Sequence, residues 1–117
     1  MTGGPGTGWL DEVRDLPYLY VTTTGRKSGR PHEVEIWFIV HNGAFYIFAE
    51  WFHRADWVRN IAQNPSVRGR VGERAFDATA QALDQARDAA EWNAAQDLAR
   101  AKYGWGDGLP VRITPIL

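Results

Sequence analysis

Residues 18–49 decide the fold: YLYVTTT (Tyr18–Thr24), GRKSGRP (Gly25–Pro31), HEVEIWFIVH (His32–His41), NG (Asn42–Gly43) and AFYIFA (Ala44–Ala49). The first segment is rich in aromatic and β-branched residues, the composition of a strand. The second is a loop with two glycines and three basic residues. The third reads as one strand. Glu33 and Glu35 share one face of it and Val34 and Ile36 the other, while Trp37–Val40 is apolar on both faces and predicts burial on both sides. Asn42-Gly43 is the strongest short hairpin signal, because both positions of the favoured two-residue turn need positive φ. Three consecutive strands with tight connections predict an antiparallel sheet.

Outward from this block the pattern continues. Arg54–Gln63 has helical spacing, with Trp57, Val58 and Ile61 on one stripe, and Asn64-Pro65 ends it. Ser66–Val71 reads as a fourth strand. Ala75–Leu83 alternates as a fifth, against a competing early helix start favoured by its alanines. Asp84–Tyr103 predicts one long helix with Gly104 as its C-cap. Leu109–Ile116 closes the chain as a strand, expected at a sheet edge because it carries Pro110 and Pro115. Residues 1–8 read as a flexible tail and Trp9–Asp15 as one short helical turn. The expectation is a single domain over residues 9–117: mainly β (α+β), about six antiparallel strands closing into a small barrel, with one short and one long helix.

Composition excludes several function classes. The 117 residues include no cysteine, which removes disulfides, thiolate catalysis and cysteine-ligated metal. His32, His41 and His53 fall on separate elements without metal-ligand spacing, so no metal site is expected. A formal net charge of -1 gives no field for nucleic acid. There is no apolar run long enough for a membrane span and no secretory signal, so a cytoplasmic location is expected.

Three stretches could carry chemistry. Gly25–Arg30 can converge backbone N–H groups with Arg26, Lys27 and Ser28 into an anion site, or be a solvated basic loop. Ala49–Asn60 runs from a strand end into a helix start, a second anion-friendly place, with Trp51, Phe52 and Trp57 as an aromatic platform or as plain core. Tyr103–Gly108 suits either a lid or a helix stop with an anchored ring. No nucleophile, acid or base declares itself. A bound cofactor usually supplies the hard chemistry in that case, and a flat aromatic pocket with phosphate anchors suits a flavin-like molecule.

Thr22, Thr23, Gly25–Gly29, Trp57, Asn60, Asn64, Pro65 and Val67 stand in an order that resembles the deazaflavin-dependent nitroreductase family. Members of that family are flavin-binding split β-barrels of the pyridoxamine-phosphate-oxidase type. The clear match spans residues 19–72. The resemblance implies coenzyme F-420 as cofactor, with FMN as the alternative, and hydride transfer to a quinone, nitroaromatic or similar planar acceptor. A carrier of a flavin-like ligand is the non-catalytic alternative. It implies cofactor contacts from Arg26, Lys27, Ser28 and Gly29, from His32, Val34 and Ile36, from Phe48, Ala49 and Glu50, and from Trp57, Val58 and Asn60. It assigns no catalytic residue. It also implies a homodimer, with Trp37, Phe38 or Trp51 at the boundary. Where relatives often carry a longer Ser-Lys-Gly-Gly loop, this chain reads Glu50-Trp51-Phe52-His53. Glu50 opposes an anionic ligand there unless it pairs with Arg54 or Arg59.

Overall fold

The computed structural model describes residues 8–116. Its strands are β1 (Leu19–Thr24), β2 (Pro31–Ile36), β3 (Phe38–His41), β4 (Ala44–Ala49), β5 (Ser66–Val71), β6 (Arg74–Ala82) and β7 (Leu109–Pro115). The helices are α1 (Trp9–Val13), α2 (Asp56–Gln63) and α3 (Ala89–Tyr103), with a single 3₁₀ turn at Phe52–Arg54. All seven strands lie in one antiparallel sheet of order β2-β1-β5-β6-β7-β4-β3. β2 and β3 are thus its two edges, yet Trp37 alone joins them. The sheet has to curl until its edges meet at Trp37 while they stay unpaired elsewhere. That arrangement is a split barrel.

Trp37 is where the sequence expected one continuous strand and the structure has two. The Phe38 N–H leaves the ladder and donates to the Tyr103 hydroxyl at 3.1 Å. That hydroxyl in turn reaches the Pro17 carbonyl at 2.8 Å. The Trp37 ring stacks on the Tyr103 ring, with centroids 4.5 Å apart. Three other expectations also change. The long helix begins at Ala89, because the Asp84 carboxylate accepts the amides of Ala86 and Arg87 and closes a separate turn first. α2 begins at Asp56, after Ala55 in extended conformation. β7 is central, between β6 and β4, and not an edge. Its prolines are the second and last residues of the strand, where little of the ladder is lost, and the Pro110 carbonyl still accepts the Leu83 N–H at 3.0 Å. Of the expected tail, residues 1–7 lie outside the described residues, and Gly8 caps α1.

The barrel interior is filled by rings. Phe45 stacks on Phe76 at 5.2 Å, and Trp9 of α1 meets both. Phe76 covers Gly69 so closely that a Cβ there would lie 2.2 Å from the ring, so only glycine fits beneath it. α3 is seated by Glu91, which accepts from the Tyr46 hydroxyl of β4 and from Arg112 of β7. Lys102 clamps the opposite end. Its ammonium donates to the carbonyls of Arg14 and Leu16 at 2.7 Å and of Phe38 at 3.0 Å, and burial pushes its pKa down to about 8. The result is a rigid wall from the β1 start to the α3 end, against which the site is built.

Candidate functional site

Asn60 organises the site. It is buried on the inward stripe of α2, one turn into the helix. Its Nδ2 donates to the buried Thr23 hydroxyl of β1 at 3.1 Å. Its Oδ1 accepts the Arg26 backbone N–H at 3.1 Å and the Arg26 guanidinium at 3.0 Å. One side chain therefore ties a strand, the basic loop and the helix start together. A buried polar group needs such partners, and here it has them. The loop closes on itself as well: the Gly25 N–H meets the Arg30 carbonyl and the Gly29 N–H meets the Gly25 carbonyl, both at 2.8 Å. A Cβ at Gly25 would come within 2.7 Å of both His32 and Ser28, so the fold of the loop requires glycine there. Gly29, with φ of 73°, completes the bend.

A cavity of about 430 Å³ opens against this loop. Arg26, Lys27, Ser28, His32, Val34, Trp57 and Asn60 line it, together with Gly25, Glu33 and Asp56. Arg26 also reaches Asp56 at 3.3 Å, but Asp56 is 82% exposed and offsets little of the charge. Among the described residues the Lys27 ammonium and the amides of Lys27 and Ser28 have no partner in the chain. Lys27 and Ser28 thus bring a cation, two successive N–H groups and a hydroxyl to the lining of one cavity, donor types that suit a phosphate or carboxylate.

A second cavity, of about 640 Å³, shares Trp57 with the first. Residues from the ends of β2 and β4, the start of α2 and the end of α3 line it. Ile36, Phe48, Ala49 and Glu50 line it, as do Tyr18, Glu35, Trp37, Trp51, Ala55, Ala99, Tyr103 and Trp105. Burial pushes the Tyr103 hydroxyl above its ordinary pKa, so it stays protonated and holds its backbone partners. Gly104, with φ of 77°, stops α3. A Cβ at Gly108 would meet the Trp105 ring and the Ala49 carbonyl, so the Tyr103–Gly108 segment is a packed helix stop that presents two rings. Phe52 has φ of 54°, unusual for a bulky residue, in the turn that follows Glu50 and leaves Trp51 65% exposed at the rim.

Of the residues expected to bind a cofactor, seven thus face the basic cavity and five the aromatic one, with Trp57 common to both. Two are elsewhere. The Val58 side chain is buried in the core, and Gly29 lines a separate groove beside β1, β5 and β6. Phe38, considered for a subunit boundary, is fully buried in the barrel. Glu50 pairs with neither Arg54 nor Arg59, and Arg59 instead donates to the His53 carbonyl at 3.2 Å. Sequence reasoning missed Tyr18 and Ala99 as wall residues, because only the closed barrel brings them to the aromatic cavity. Among the described residues no cluster of side chains suits a metal ion, and no helix is long and apolar enough to cross a membrane.

Comparison with known proteins agrees with this geometry. A solved F420-H2 dependent reductase is 26% identical, with a TM-score of 0.64 over 84% of this chain and 93% of that one. The heme storage protein HutZ from Vibrio cholerae is 21% identical, with a TM-score of 0.74 over 92% of this chain and 88% of that one. An FAD-binding protein from Mesorhizobium loti is 14% identical, with a TM-score of 0.69 over 92% of this chain and 87% of that one. The latter two establish the fold alone. No curated protein matches the chain. The family described as F420H(2)-dependent quinone reductase matches over residues 3–114. The chain belongs to that family, one of oxidoreductases that use coenzyme F-420.

Proposed function

We propose that residues 9–117 form one domain that holds coenzyme F-420 across the two cavities and delivers its hydride to a quinone or similar planar acceptor. The observation that carries this reading is the shared Trp57 wall: the cavity with unsatisfied anion donors adjoins the cavity with aromatic walls. Arg26, Lys27 and Ser28 would hold the phosphate and acidic tail, and the rings of the second cavity the planar part. When reduced, the coenzyme supplies a hydride. The chain's own contribution is to bind, to orient donor against acceptor and to keep water from the contact, and such positioning can account for a large share of rate acceleration.

A titration of the tryptophan fluorescence distinguishes the cofactors. Coenzyme F-420 is expected to quench saturably and about tenfold more tightly than FMN, since its tail adds carboxylates for the free Lys27 and loop amides. Quenching by FMN alone would favour the FMN reading. Binding without oxidation of the reduced coenzyme by a quinone would favour a carrier.

We further propose a homodimer. β2 and β3 are unpaired sheet edges, and Trp51 and Trp37, 65% and 39% exposed, remain available for a boundary. One solved structure 27% identical to this chain is described as a domain-swapped dimer. Light scattering is expected to give twice the 13.2 kDa chain mass, and a monomeric mass would contradict it.

A further inference from the structure

The two cavities differ in charge. Seven aromatic side chains line the larger one, with two acidic residues, Glu35 and Glu50, and neither lysine, arginine nor histidine. The acids are not equivalent. The Glu35 carboxylate accepts the Tyr20 hydroxyl of β1. Glu50, at the end of β4, has no hydrogen-bond or ion-pair partner among the described residues. Arg26 bonds Asn60 and Asp56 and Arg59 bonds the His53 carbonyl, while the Lys102 ammonium keeps its charge on three carbonyls 5.0 Å from the centre of the Tyr103 ring; none of the three lines the cavity. Ring faces are electron-rich, and an unneutralised carboxylate beside them adds potential of the same sign. Such a wall attracts a flat cation and repels a flat anion.

We infer that the aromatic cavity selects planar acceptors that carry a positive charge over those that carry a negative one, with Glu50 as the specificity-determining residue. This rests on the proposed reading that puts the planar part of the coenzyme in that cavity, so that the acceptor has to meet it there. The chemistry balances. An aromatic cation accepts a hydride, the donated electron pair forms one new C–H or N–H bond, and the product is neutral. The reduced coenzyme is oxidised by the same two electrons, and its remaining exchangeable proton passes to solvent. No proton has to come from the protein to complete the acceptor, in keeping with a Tyr103 hydroxyl already engaged with backbone. Loss of the charge also weakens the hold on the product and favours its release.

The test uses one ring system in three charge states: N-methylphenazinium, phenazine and phenazine-1-carboxylate, each bound to the 117-residue chain by equilibrium dialysis without coenzyme. The cation is expected to bind about tenfold or more tightly than the anion. Glu50→Gln is expected to narrow that ratio at least about threefold, with neutral phenazine least affected. Glu73→Gln, in the β5–β6 turn outside the cavity lining, controls for total charge and is expected to leave the ratio unchanged. Equal binding of cation and anion overturns the inference, as does a ratio untouched by Glu50→Gln or moved equally by Glu73→Gln. Failure of all three ligands to bind overturns it too, while coenzyme binding, read by its own titration, stands or falls separately.

Discussion

Asn60→Ala is expected to lower stability and cofactor affinity together. The substitution removes a side chain that accepts from Arg26 twice and donates to the Thr23 hydroxyl, with all three bonds between 3.0 and 3.1 Å. Asn60 and Thr23 are both buried, so the freed groups are not fully compensated by water. The cost is expected to be about 2–3 kcal/mol, since orphaned buried polar groups cost more than a hydrogen bond contributes. The basic loop then loses its tether to α2, and coenzyme F-420 should bind at least about tenfold more weakly. Asn60→Asp keeps an acceptor for Arg26 and lets the Thr23 hydroxyl donate, so it should lie between alanine and wild type in both quantities. Thermal melts read the first and fluorescence quenching the second. An alanine variant with wild-type melting and affinity would show that the bracket is dispensable.

The second large effect separates binding from stability. Arg26→Ala combined with Lys27→Ala removes two charged donors from the basic cavity, and charge-assisted bonds to a phosphate or carboxylate are strong enough to give a loss of about 100-fold in affinity. Melting should hardly change. The backbone N–H of position 26 survives the substitution, so Asn60 keeps one partner in the loop, and the Arg26–Asp56 pair is too exposed to matter much. The Asn60 and Arg26/Lys27 variants thus differ in signature: one loosens the scaffold, the other empties its grip.

How far this was readable in advance depends on range. The hairpin at Asn42-Gly43 follows from local turn chemistry, and the structure shows positive φ at both residues. The glycine-bracketed loop carried its anion chemistry in its own residue types. Strand composition identified β1, β4 and β5 for the same reason. Most of what failed was set by distant contacts. Nothing local in HEVEIWFIVH announces a break at Trp37; the break comes from Tyr103, 65 residues away from Phe38, and from the need to step between sheet edges. β7 looked like an edge because its prolines were counted without their places in the ladder. The start of α3 moved because Asp84 bonds its own neighbours, an alternative to helix that periodicity does not register. In the site, the motif pointed to Asn60 as a ligand contact; Asn60 does line the basic cavity, and its amide also bonds Arg26 and Thr23, which nothing local in the sequence announces. Tyr18 and Ala99 carry no signal of their own, since a wall residue is defined by what closes around it.

On the proposed reading, the cationic loop grips the anionic end of a ring-bearing molecule whose planar end lies in the cavity that shares Trp57. The most direct measurement compares coenzyme F-420 with the same deazaflavin ring stripped of phosphate and tail, each titrated against wild type and the Arg26→Ala/Lys27→Ala variant. The predicted result is a loss of about 100-fold for the complete coenzyme and less than about twofold for the bare ring. Equal losses for the two ligands, or none for the coenzyme, would contradict it.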